Sequence, residues 1–146
     1  MVLRPRICWL LLQVSKSLSI AAALIRNAAG EVPLVRKKET RAFMQPCGKI
    51  DAGETSPQAL IRELKEELGL EIIEADLVSL GRFEAEAANE PDTHLTADLF
   101  ALKQPVEEAH PAQEIAQAIW VNPRHTGLLP LAPFTRDTVL PLAISG

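Results

Sequence analysis

The sequence predicts an α+β fold, a sheet flanked by helices, on three observations. A strongly amphipathic helix lies between Thr55 and Gly69, apolar and partly β-branched runs stand on both sides of it, and a short C-terminal stretch carries apolar residues that a second helix could bury. A chain of 146 residues is about one domain, and 47% hydrophobic content without a low-complexity tract marks it as globular. One domain over residues 1–146 is therefore expected. The net charge of −4 argues against a general nucleic-acid binder, whose phosphate-tracking surface is normally basic.

Residues 1–16 open with Arg4 and Arg6 ahead of Ile7, Cys8, Trp9, Leu10, Leu11 and Leu12, which superficially resembles the basic and apolar regions of a signal peptide. The run is too short for a membrane span and ends at Gln13 without a cleavage pattern, although residues 19–23 keep that alternative open. An extra N-terminal strand or extension is the preferred reading.

Residues 19–26 and 32–37 are two apolar runs separated by Asn27-Ala28-Ala29-Gly30-Glu31, which predicts a hairpin. The second run ends in the bases Arg36, Lys37 and Lys38, with Arg41 close behind. A solvated strand end is the ordinary explanation of any one of them. Their position just ahead of the helix makes Arg36, Lys37, Lys38 and Arg41, together with Lys49, candidates to meet substrate phosphate. Phe43 and Met44 are expected in the core.

The helix itself is well specified. Thr55, Ser56, Pro57 and Gln58 supply a capping hydroxyl, an early-turn proline and a Thr-x-x-Gln capping box, and Gly69 supplies the stop. Leu60, Leu64 and Leu68, with Ile61 beside them, form one apolar stripe that must face a core. Glu63, Glu66 and Glu67 recur at spacings of three and four, so they converge on a neighbouring face with only Arg62 and Lys65 nearby to offset them. Such a cluster costs stability unless a cation neutralises it, and the fitting cation is hard and oxygen-seeking, Mg²⁺ or Mn²⁺. The alternative is the solvated face of an ordinary Glu-rich helix.

Beyond the helix, residues 77–86 and 93–103 predict two strands joined at Asn89-Glu90-Pro91-Asp92, with Leu95, Ala97, Leu99 and Ala101 alternating toward a buried face. Residues 112–116 are a polar connection into the short strand Ile119-Trp120-Val121. Phe134, Val139, Leu140 and Leu142 suit a final helix that Pro141 keeps brief or broken. Cys8 and Cys47 have no paired spacing, which suits a reducing, cytoplasmic compartment and gives no zinc pattern. Cys47 is read as a small residue in a tight turn rather than a nucleophile.

The spacing Gly48, five residues, Glu54, seven residues, then Arg62-Glu63-Leu64-Lys65-Glu66-Glu67-Leu68-Gly69-Leu70 resembles the signature of the Nudix hydrolases at every specified position. At average residue usage such a match arises by chance with a probability on the order of 10⁻⁷. The motif covers 23 of 146 residues. The resemblance implies a Nudix-type α/β/α sandwich with a mixed sheet. It implies divalent metal held by Glu63, Glu66, Glu67 and the backbone carbonyl of Cys47. It also implies carboxylates oriented by Arg62, support from Glu54, tight backbone turns at Gly48 and Gly69, and an additional acid at Glu114 that binds metal or acts as base. Many Nudix proteins carry a second glycine at the position of Cys47, so the thiol is a departure.

The implied activity is Mg²⁺-dependent hydrolysis of a diphosphate linkage in a nucleoside diphosphate joined to another moiety, with Glu63 or Glu114 deprotonating the attacking water. No side motif of the ADP-ribose, dinucleoside polyphosphate or NADH hydrolases is found, so a nucleoside triphosphate or related small nucleotide is the first expectation. Phe83, Phe100 and Trp120 could stack a base, but core packing is the expected role. The alternatives are a non-catalytic nucleotide-sensing module and a prenyl-diphosphate isomerase. The expected partners are a small nucleotide or other diphosphate, with a homodimer as an option, and neither long nucleic acid nor a membrane.

Overall fold

The computed structural model describes residues 16–88 and 90–145. The additional strand expected in residues 1–16 lies outside them, except for Lys16, which opens β1. The strands are β1 (Lys16–Leu24), β2 (Val32–Lys37), β3 (Cys47–Lys49), β4 (Leu77–Glu86), β5 (Thr93–Leu102) and β6 (Ile115–Val121). The helix α1 runs over Ser56–Leu68, and α2 (Leu140–Ser145) follows a wider turn at Thr135–Val139.

The expected hairpin between the first two strands does not form. Asn27 makes the tight turn, its side-chain oxygen accepting from the N–H groups of Ala29 (3.1 Å) and Glu31 (2.8 Å), yet the strands on either side part company. β1 enters a four-stranded sheet of order β3-β1-β5-β4, while β2 pairs with β6 in a second sheet. The reason is that β1 is buried without interruption from Ile20 to its end, and Ile25 continues the run. A strand apolar on both faces belongs in the middle of a sheet. It obtains two neighbours by running parallel to β5 and antiparallel to β3, which makes the sheet mixed.

The second hairpin, β4 with β5, forms as expected, with a register shift between Ser79 and Gly81. Leu95, Ala97 and Leu99 are buried. The strand around Trp120 is longer than expected and starts at Ile115.

The two helical segments cover opposite faces of the mixed sheet. Asp98 of β5 accepts from the Ser56 hydroxyl at the start of α1. Its neighbour Ala97 points the other way and stands opposite Phe83, whose ring lies 6.1 Å from that of Phe134 ahead of α2. The resulting α/β/α layering is the expected one.

α1 is held as the sequence specifies. Thr55 and Gln58 form the reciprocal capping box, and Gly69 sits at φ 68°, its N–H bonded to Lys65 O (3.1 Å). Leu60, Leu64 and Leu68 are buried in the core, joined by Ala59. Leu64→Ala is expected to cost about 3 kcal/mol in urea unfolding, the range for a buried leucine that leaves a cavity. A loss below about 1 kcal/mol would mean that α1 is not seated on the core as described.

The final helix is interrupted as Pro141 requires. A proline cannot donate to the carbonyl four residues back, and its ring crowds that carbonyl. The chain answers with a wider turn over Thr135–Val139, in which Leu140 N–H reaches back to Thr135 O.

Candidate functional site

Burial separates the three glutamates of α1. Glu67 is 7% exposed, the Glu63 side chain 15% and the Glu66 side chain 50%. A merely solvated face would leave all three in water. Instead the helix carries one acid into the protein and holds a second at its margin.

Arg62 gathers the acids around it. Its Nε and Nη2 donate to the two oxygens of Glu54 (2.7 and 2.9 Å), Nη1 donates to Glu63 (3.1 Å) and Glu66 (3.4 Å), and Nη2 also donates to the Lys49 carbonyl (3.1 Å). Asp51 completes the ring of carboxylates at 3.3 Å. The paired guanidinium hydrogen bonds hold the Glu54 carboxyl down to about 2, and the same bonds keep Arg62 firmly charged.

Gly48 has a different role from the turn expected of it. It lies in β3, where a Cβ would overlap the Glu63 side chain, so glycine is needed for close approach rather than for a special φ. Next to it, the ladder leaves the main chain of Cys47 free of β1. Ser19 O accepts from Ile50 N–H (3.1 Å) and Pro46 O accepts from Ala23 N–H (2.9 Å). In an antiparallel pair the bonded positions alternate, so the Cys47 carbonyl points to the outer edge of β3.

Glu67 carries the site's strongest electrostatic signature. Burial pushes its carboxyl up to about 7, the neighbouring charges of Glu63 and Glu114 add to the rise, and Lys37 opposes it. Glu114 is brought there by backbone bonds: Glu67 O accepts from Ala112 N–H (2.9 Å), Leu68 O from His110 N–H (2.9 Å), and Glu114 O from Lys38 N–H (2.8 Å). The loop before β6 is thereby strapped to the end of α1 and to the end of β2.

Among the described residues no three of these side chains already form a ready set of metal ligands, because Glu63 and Glu66 are turned toward Arg62. The donor chemistry nevertheless fits a hard divalent cation. All the available donors are carboxylate or carbonyl oxygens, and the buried Glu67 sits among other acids with Lys37 as its opposing cation.

Beside the acids lies a cavity of about 160 Å³ between β1, β3, β5 and the start of the final helical segment. Leu18, Ile20, Met44, Leu95, Ala132 and Phe134 supply its apolar walls, and Lys37, Lys49, Glu86 and Glu90 are the charged residues along it. Of the five bases proposed to meet phosphate, Lys37 and Lys49 line this slot, whereas Arg36, Lys38 and Arg41 do not. Arg36 is engaged elsewhere: it donates to Thr40 O (2.9 Å) and Gln117 (3.4 Å) and lies 6.0 Å from the Phe43 ring centre.

Strand alternation separates Lys37 from Arg36. Val35 pairs with Met44, so Val35 and Lys37 share the slot side of β2 while Arg36 points to the other. Phe100 is buried, and neither it nor Phe83 nor Trp120 lines the slot. Burial pushes the Cys47 thiol up to about 11, so at neutral pH it is not a thiolate nucleophile.

The chain has recognisable relatives. It is 44% identical over 73 residues, 47% of its own length, to a protein of Haemophilus influenzae named 8-oxo-dGTP diphosphatase, and it covers 54% of that protein. It is 36% identical over 85 residues, 56% of its own length, to the protein of the same name from Escherichia coli K12, of which it covers 62%. The chain thus spans less than two thirds of these relatives. A crystal structure of a MutT NUDIX hydrolase from Burkholderia pseudomallei superposes with a TM-score of 0.71 at 21% identity, covering 86% of this chain and 97% of that one, which is a likeness of fold. The family model described as the NUDIX domain matches residues 16–142, nearly all that the structure describes. With the complete signature running from β3 through α1 and the mixed sheet between two helical layers, that match makes the chain a member of the Nudix family.

Proposed function

We propose that the chain is a divalent-metal-dependent pyrophosphohydrolase that splits a phosphoanhydride bond of a nucleoside triphosphate. The carrying observation is Glu67, buried on α1 beside carboxylates that Arg62 gathers, next to a slot whose lining includes Lys37 and Lys49. An oxidised purine nucleotide, 8-oxo-dGTP, is the first substrate to try, since two relatives are named for its cleavage.

Glu63, Glu66 and Glu67 would hold Mg²⁺ or Mn²⁺, with the Cys47 carbonyl beside them. When bound, the cation neutralises phosphate charge and makes a water easier to deprotonate. Glu114 is the better placed of the two candidate bases: no ion pair holds its carboxylate among the described residues, whereas Arg62 holds Glu63. The water oxygen forms the new P–O bond, its proton passes to the carboxylate, and the anhydride P–O bond breaks. Arg62 and Glu54 keep the acids in place during this, and Lys37 and Lys49 offset the charge of the phosphates.

The test is a product-resolved screen of nucleoside triphosphates, nucleotide sugars, dinucleotides and ADP-ribose with Mg²⁺ and with Mn²⁺. Release of a nucleoside monophosphate and pyrophosphate from a triphosphate is the expected result. Tight nucleotide binding without any product would overturn it in favour of a sensor module.

A further inference from the structure

Among the described residues, three that are not glycine hold a positive φ: Glu39 (63°), Asp92 (55°) and Gln113 (57°). Such a backbone is uncommon for a residue with a Cβ and persists only where the surrounding structure fixes it. Two of the three stand at one place. Glu39 lies in the turn that leaves β2, where Thr40 N–H donates to Lys37 O (3.2 Å), and Gln113 lies in the turn that enters β6. Both therefore flank the same end of the β2–β6 ladder, the end that is strapped to α1.

The bonds around Gln113 are made by main chain. Before it, Ala112 N–H donates to Glu67 O (2.9 Å), and after it, Glu114 O accepts from Lys38 N–H (2.8 Å). Across it, Ile115 N–H donates to Ala112 O (3.1 Å) and closes the turn. The ladder is also irregular there. Arg36 stands opposite Gln117 and Lys37 opposite Ile115, so Ala116 is an extra residue in β6, and this bulge lets Ile115 sit in the core. The chain must leave α1, reverse and enter a strand between Ala112 and Ile115, and the left-handed residue makes that reversal. The Gln113 side chain is exposed and has no share in these bonds.

Resting on the reading of Glu114 given above, we propose that Gln113 is a positioning residue whose left-handed backbone, and not its side chain, holds Glu114 beside the acids of α1. A residue that resists positive φ drives the turn into another form. The bonds of Ala112 to α1 and of Glu114 to β2 then no longer hold together, and Glu114 leaves its place. Gln113 does not line the slot, so substrate binding is untouched and the chemical step suffers.

The test is a set of full-chain variants graded by their tolerance of positive φ. Gly and Asn adopt it readily, while Val, branched at Cβ, resists it. In the metal-free protein, the amide hydrogens of Ile115 and Lys38 are expected to exchange about tenfold faster or more in Gln113→Val, and at the original rate in Gln113→Gly and Gln113→Asn. With 8-oxo-dGTP and Mg²⁺, kcat is expected to fall about tenfold to a hundredfold in Gln113→Val with KM changed less than about twofold, and to survive in the other two. Full kcat in Gln113→Val overturns the proposal. So does a loss in Gln113→Gly as large as that in Gln113→Val, which would put the role in the side chain. Glu114→Gln keeps the two readings apart: retained kcat in that variant removes Glu114 as the base. In that event, or if 8-oxo-dGTP is not cleaved, the exchange rates decide, and unchanged exchange in Gln113→Val overturns the positioning role.

Discussion

Glu67→Gln is expected to lower metal-dependent turnover by about a thousandfold or more while making the metal-free protein more stable at pH 8. On the proposed function, the first effect follows from removing a charged oxygen donor to the cation that no other buried acid among the described residues replaces. The second follows from the pKa. In the folded, metal-free protein the Glu67 carboxyl is raised to about 7, against an ordinary value of 4.5. Between those values the folded state binds more protons than the unfolded state, so stability falls as pH rises through 7 and the full penalty stands above it. The buried charge then costs about 3 kcal/mol, which the neutral amide avoids. Urea unfolding at pH 8 and at pH 4, with chelator present, should show the gain at the higher pH alone. Equal stabilities at pH 8 would mean that Glu67 is not held as a buried charge. The same proton must leave before a cation binds, so at subsaturating Mg²⁺ turnover should drop about tenfold per pH unit below 7 and recover when Mg²⁺ is raised.

Gly48→Ala comes next in size, with an expected loss of about a hundredfold in kcat/KM. A methyl group at that position occupies the volume of the Glu63 side chain, so either β3 or the glutamate must move. The carboxylate that moves is also bonded to Arg62, so the displacement passes to its partners Glu54 and Glu66. A misplacement of about 1 Å in such a set is enough to cost two orders of magnitude. Retention of full activity would show that Glu63 does not need its close approach to β3. Because Gly48 has an ordinary backbone conformation, stability should suffer less than activity, and a melting curve separates the two.

Much of this was legible in the sequence because the determinants are local. Thr55, Gln58 and Gly69 bracket α1, and the leucines and glutamates of one helix fix which side is core and which is charged. The β4–β5 hairpin likewise follows from two runs joined at a short turn. What escaped was set by distant partners. Asn27 makes a real turn, but whether flanking strands pair depends on how many neighbours β1 needs, and its parallel partner β5 lies some seventy residues on. The uninterrupted apolar run from Ile20 to Ile25 was the available sign that β1 is central. Arg36 and Lys37 are adjacent in sequence and opposite in space, so nearness to the motif could not rank them and the face of the strand could. Thr135 and Gln45, bonded side chain to side chain, lie 90 positions apart, which no local pattern announces.

The ring of acids around Arg62 also bears on how this chain can change over generations. Four carboxylates, those of Asp51, Glu54, Glu63 and Glu66, share that single guanidinium. Losing Arg62 alone strands four mutually repelling charges, while losing one acid alone merely lightens its load. The order of mutation therefore matters: acids can drift away singly, but the arginine becomes dispensable only after they have gone. A descendant relieved of catalysis would shed its acids first and its arginine last, so an intact arginine beside missing glutamates would mark a lineage caught midway.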